Sequence, residues 1–186
     1  MFFSKEYPKS NCSLISRSSG RIDSTKFLIG SITKPFTALA ILILEKEGKL
    51  KLSDKLSNYF PNFQSADNIT IKQLLTHTSG ISDYKILDDW KEDSKSDLTT
   101  PYTTISKMRD QVLLFEPGTS FRYSNVGYIL LGLIIEKSSR TSFEDFIQQK
   151  ILNPLSLKNT GVIDNKKIIS NLATGYKTNP RETVKA

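Results

Sequence analysis

Gly30-Ser31-Ile32-Thr33-Lys34-Pro35-Phe36 leads into residues 38–44, which are apolar without interruption. Phe36, Leu39, Ala40, Ile43 and Leu44 recur at helical spacing, and Ile41 and Leu42 cover the other side. The pattern predicts a core helix over 32–47, apolar nearly all round. Proline is tolerated only in a first turn, where its missing N–H has no intrahelical acceptor to lose, so Pro35 independently places the start near Ser31. Gly48 ends the pattern. Residues three apart share a helix face, so Ser31 and Lys34 stand side by side. The helix start also aims backbone N–H groups and a partial positive charge at the serine oxygen. A serine hydroxyl is a useful nucleophile only when a neighbour takes its proton. A lysine can take one only where burial or another cation discharges it, and an apolar helix predicts such burial.

The Ser-x-x-Lys spacing is common, and Ser82-Asp83-Tyr84-Lys85 repeats it in a polar loop, so context has to carry the reading. A second element is Tyr123-Ser124-Asn125, set between Glu116-Pro117-Gly118-Thr119 and a helix-like stretch, 126–137. A phenol beside a cationic lysine can relay a proton, and an asparagine amide offers both donor and acceptor to a substrate amide. The same residues would serve as a tyrosine packed in a turn and an asparagine capping the next helix. Spacing leaves both readings open.

Five blocks then occur in one order: 27–38, Gly48-Lys49-Leu50 to Asp54 with Ile69-Thr70-Ile71, Leu74-Leu75-Thr76-His77-Thr78-Ser79-Gly80, Pro117-Gly118-Thr119, and Tyr123-Ser124-Asn125. Together they resemble the serine β-lactamase and penicillin-binding-protein superfamily, in its class C-like branch with D-alanyl-D-alanine carboxypeptidases and esterases. The match runs over about 25–176. The resemblance implies that Ser31 is the acylated nucleophile and Lys34 its activator. It implies that Tyr123 acts as base and then as acid toward the leaving group, and that Asn125 orients Lys34 and the substrate amide. The Ser31 backbone N–H would supply half of an oxyanion hole.

The family's third motif, Lys-Thr-Gly or His-x-Gly on an edge strand, has no counterpart after Tyr123. Lys177-Thr178-Asn179 is the nearest look-alike, but it directly follows the family-like Leu172-Ala173-Thr174-Gly175-Tyr176, and Lys177 reads as a surface lysine. Only thirty residues precede Ser31, with Leu14-Ile15 and Phe27-Leu28-Ile29 as short strand candidates. The expected class is therefore α/β (α+β): the helical part of the β-lactamase/transpeptidase-like fold with an incomplete antiparallel sheet. At 186 residues the chain is read as one partial domain, 1–186.

Further helices are expected over 101–114 from Pro101, over 127–136, and over 141–151 with Thr141 and Glu144 as a capping box. Thr70 and Gln73 form another such box. Residues 82–100 read as a long polar loop, with Trp90 as a substrate contact or packed on a helix.

The net charge of +7 is spread among acids without a basic face, which argues against a nucleic-acid partner. One cysteine, Cys12, and one histidine, His77, provide neither a disulfide nor a metal site, and no cofactor is expected. His77 is read as stabilising a helix-to-loop turn. No stretch reaches the ~20 apolar residues of a bilayer span. The start lacks a signal-peptide pattern, so the chain as encoded is expected in the cytoplasm, although relatives work at the cell envelope.

Two function classes follow. One is a serine hydrolase acting through an acyl-enzyme on Ser31, with a β-lactam, a D-Ala peptide or a small ester as small-molecule or peptide substrate. The other is a catalytically incomplete fragment that retains fold or ligand binding. A plain interaction module would instead leave Lys34 far from Tyr123.

Overall fold

In the computed structural model, residues 26–84, 100–163, 168–173, 176–179 and 182–185 are described. A 3-10 turn, Gly30–Ile32, runs directly into helix α1, Thr33–Lys46. Pro35 sits in its first turn, where the backbone has no acceptor to lose. Gly48 adopts the left-handed conformation (φ 70°) just past the end. Its N–H bonds Glu45 O at 2.9 Å, and the Lys49 N–H bonds Leu44 O at 2.9 Å. These paired bonds satisfy carbonyls that the helix end would otherwise leave open. The helix buries Thr37, Ala40, Ile41 and Leu44, while Leu39 and Leu42 are exposed. The expected all-round burial is thus confined to one face.

Helix α2, Ile71–Leu75, starts at the Thr70/Gln73 capping box as read from sequence. Helix α3, Pro101–Met108, starts at a Thr100/Thr103 box and ends six residues before the expected 114. Val112 and Leu114, inside the expected helix, are exposed beyond the observed one. Helix α4, Asn125–Ser139, is capped by Ser124, whose Oγ accepts the Gly127 N–H at 3.3 Å. Helix α5, Phe143–Ile147, is capped by Ser142 rather than Thr141, and a π-helical turn, Gln148–Leu152, continues it.

Helix α4 is the hub. It buries Val126, Leu130, Leu131, Leu133, Ile134 and Ile135, and α1, α2, α3 and α5 all pack against it. Ile41, Leu44, Leu74 and Met108 bring fully buried side chains from α1, α2 and α3 to the core. A helix apolar on nearly every side is stable only when surrounded in this way.

The expected α/β (α+β) class with an incomplete antiparallel sheet is not what the chain forms: the fold is largely helical, with no sheet layer under the helices among the described residues. A strand exists only where a neighbour completes its ladder of N–H and C=O groups. Among the described residues, the strand candidate Phe27-Leu28-Ile29 is flanked by a single bridge, Lys26 to Leu172, and extends into no ladder. The only described sheet is a two-stranded ribbon near the C-terminal end, β1 Tyr176–Asn179 antiparallel to β2 Glu182–Lys185. Lys177 lies on β1, opposite Val184. Leu14-Ile15, Cys12 and Trp90 lie outside the described residues, as does most of the loop predicted over 82–100.

Candidate active site

Two helix starts and one turn converge. The start of α1 carries Ser31 and Lys34, the start of α4 carries Tyr123 and Asn125, and the segment 77–83 lies between them. The turn is fastened to the approach to α4 by main-chain bonds: the Leu114 N–H donates to Gly80 O at 2.8 Å, Gly118 N–H to Thr78 O at 2.8 Å, and Arg122 N–H to His77 O at 2.9 Å. Tyr123 is the next residue, so its position follows from this stitching.

The four residues singled out in the sequence are brought together. Ser31 Oγ lies 2.9 Å from the Tyr123 hydroxyl, 92 positions away in the chain. Lys34 Nζ donates to Ser31 Oγ at 3.3 Å and to Asn125 Oδ1 at 2.7 Å. The one-turn helical geometry between Ser31 and Lys34 is as the spacing predicts. Ser31 and Tyr123 are exposed, Lys34 is half-buried and Asn125 is buried, so the two hydroxyls face solvent while Lys34 and Asn125 recede into protein. The helix-capping role open to Asn125 falls instead to Ser124.

Lys34 Nζ also stands 4.8 Å from the centre of the Tyr123 ring and 5.4 Å from that of Tyr128. Aromatic faces attract a cation, which helps hold the ammonium beside the serine oxygen. Tyr128 is anchored by its hydroxyl, which donates to Leu75 O at 3.0 Å, and burial pushes its phenol above the usual range.

His77 takes the turn role expected of it and adds a second. Its φ of 58° places it in the left-handed position that closes α2, with the Thr78 N–H bonding Gln73 O at 2.9 Å. Its ring lies against those of Tyr123 and Tyr128, at 4.6 and 5.0 Å between centres. Nδ1 accepts the Ser124 N–H at 3.3 Å, which requires that nitrogen to be unprotonated. Burial, and then the charge of Lys34, hold its pKa below the ordinary 6.5.

Sequence reasoning missed Asp83 and Tyr128. Asp83 Oδ2 accepts from the Asn125 side chain at 2.9 Å and from its main-chain N–H at 3.2 Å. Asp83 sits within a polar Ser-x-x-Lys look-alike, and only the folded turn brings it to α4. Tyr128 had a weak signal, since it lies one helical turn beyond Ser124 on the stretch read as a helix. Among the described residues, no group of three His, Cys, Asp or Glu side chains could hold a metal ion, and no helix is long and apolar enough to cross a membrane.

Residues 22–186 match the protein family described as Beta-lactamase. The chain is 37% identical over 157 residues to penicillin-binding protein 4* of Bacillus subtilis, an alignment covering 81% of this chain and 34% of that protein. The solved penicillin-binding protein of Bacillus halodurans superposes with a TM-score of 0.76 at 31% identity, over 87% of this chain and 52% of that one. The D-amino acid amidase of Ochrobactrum anthropi SV3 superposes with a TM-score of 0.73 at 27% identity, over 84% and 45% of the two chains. The chain spans about a third of the length of the curated relatives it matches.

Proposed function

The chain belongs to the beta-lactamase family, within the penicillin-binding-protein-like serine hydrolases, and on that premise we propose that Ser31 forms a covalent acyl-enzyme with a small-molecule or peptide substrate. The observation that carries this reading is the placement of Ser31 Oγ within 2.9 Å of a phenol and 3.3 Å of an ammonium.

In the proposed reaction Tyr123 reacts as its phenolate, the charge balanced by the Lys34 ammonium, and Ser31 Oγ bonds to the substrate carbonyl carbon while its proton passes to the Tyr123 oxygen. The bond to the leaving nitrogen or oxygen then breaks, and Tyr123 delivers the proton to that atom. Water repeats the sequence on the acyl-enzyme, with Tyr123 taking its proton and returning it to Ser31. Lys34 supplies positive charge beside the oxygen that becomes negative, and Asn125 fixes Lys34. The Ser31 backbone N–H, in the turn opening α1, is the assigned donor to the carbonyl oxygen; such preorganised donors are worth about 3–4 kcal/mol of barrier. The relatives' names, penicillin-binding protein and D-amino acid amidase, favour a β-lactam or a small D-amino-acid amide over a simple ester.

Pre-steady-state mixing with p-nitrophenyl acetate tests the proposal. The expected result is a burst of up to one equivalent of p-nitrophenol from Ser31 acetylation, absent in Ser31→Ala and slowed by about 100-fold in Tyr123→Phe, the scale of a lost acid–base group. Equal bursts from the native chain and Ser31→Ala would remove Ser31 from the chemistry.

A further inference from the structure

Asn125 presents an amide whose two ends are chemically opposite, and a half-turn about its last torsion exchanges them. Lys34, as an ammonium, can use only the oxygen end. The bond from Lys34 Nζ to Asn125 Oδ1 at 2.7 Å therefore exists only in one of the two orientations. What selects that orientation sits on the other side of the amide. Asp83 Oδ2 accepts the Asn125 Nδ2 donor at 2.9 Å and the Asn125 main-chain N–H at 3.2 Å. An ionised carboxylate has acceptors only, so a flipped amide would set oxygen against oxygen there and donor against donor at Lys34.

We infer that Asp83 is a positioning residue: by holding the nitrogen end of Asn125 it turns the oxygen end toward Lys34 and thereby sets the ammonium beside Ser31. The inference rests on the reading of Ser31 as nucleophile. The relay runs through contacts of 2.9, 2.7 and 3.3 Å from Asp83 to Ser31. The main-chain bond to Asn125 adds a second anchor, because it ties the carboxylate to the backbone that carries the amide. A carboxylate at the first residue of α4 is also favoured by the helix dipole. Capping alone would explain that bond, but not the contact with the side-chain amide, and Ser124 already caps this helix through Gly127.

Two substitutions at Asp83 and three readouts separate positioning from capping. Asp83→Ala is expected to slow the p-nitrophenyl acetate burst by about tenfold to 100-fold, the scale of a catalytic group displaced by a fraction of a bond length to an ångström. Asp83→Asn keeps an oxygen that can accept both N–H groups and is expected to stay within about threefold of the native rate. The side-chain amide resonances of Asn125, assigned by their loss in Asn125→Asp, should move in Asp83→Ala and stay close to native in Asp83→Asn. An Asp83→Ala protein with lowered Tm but native burst rate would make Asp83 a helix cap only and overturn the inference. Asp83→Asn as slow as Asp83→Ala would overturn it as well. Absence of any burst in the native chain would sink the acyl-enzyme proposal. In that case the amide resonances still decide on Asp83, since unmoved signals in Asp83→Ala contradict the hold on Asn125.

Discussion

Lys34 lies between two aromatic faces and beside an imidazole that burial keeps neutral. The neutrality of His77 matters, because its ring packs against Tyr123 and its Nδ1 accepts the Ser124 N–H. Protonation would turn that acceptor into a donor facing a donor, and would add a second cation near Lys34. The folded pKa is depressed below 6.5, so the unfolded chain binds the proton more readily. The stabilisation is present above 6.5 and is lost as pH falls through the folded value. Urea midpoints measured from pH 8 to 5 should therefore decline, and His77→Asn, which tolerates the left-handed backbone, should flatten the decline. Glu47, held below its ordinary 4.5 by bonds to Lys150 and Lys49, keeps its contribution above 4.5 and loses it only at more acidic pH, so it adds no slope between pH 8 and 5. Parallel slopes for the two proteins would refute this role for His77.

At the scale of elements, the site depends on how the turn at 77–80 is stitched to the irregular approach to α4. Gly80 has φ 78°, and a Cβ there would collide with the Phe115 main-chain oxygen, next to the bond from the Leu114 N–H to Gly80 O. Gly80→Ala should cost about 1–3 kcal/mol for the backbone strain alone, and the shift of the approach to Tyr123 should lower the burst rate as well. Ser124→Ala, which removes the cap of α4, should cost about 1 kcal/mol. Chemical denaturation of both variants checks the order; a native-like midpoint for Gly80→Ala would contradict the fastening. The capping boxes of this region divide instructively. Thr70 with Gln73 was legible because the box is a local pattern closed within one turn. The cap of α5 fell one residue later than read, on Ser142, since adjacent hydroxyls offer the same local signal and tertiary contact chooses between them.

Across the whole molecule, the helices were legible because apolar spacing reports the face that a helix buries, and α1 and α4 carry that signal strongly. The sheet was not legible, because a strand such as Phe27-Leu28-Ile29 needs a partner that its own residues cannot specify. Ser31, Lys34, Tyr123 and Asn125 were singled out by the ordered blocks that carry the family resemblance, because a one-turn spacing or a place before a helix leaves a purely structural reading open. Asp83 and the stacking of His77 on Tyr123 depend on contacts between segments 42 and 46 residues apart in sequence, which no local pattern encodes. The account stands on Ser31, Lys34 and Tyr123 acting as one nucleophilic unit built from the starts of two packed helices. Peptide-mapping mass spectrometry after incubation with a fluorescent penicillin tests this most directly. The account predicts one adduct, on the peptide containing Ser31, absent in Ser31→Ala and strongly reduced in Tyr123→Phe. An adduct on another residue, or labelling that persists unchanged in Ser31→Ala, would contradict it.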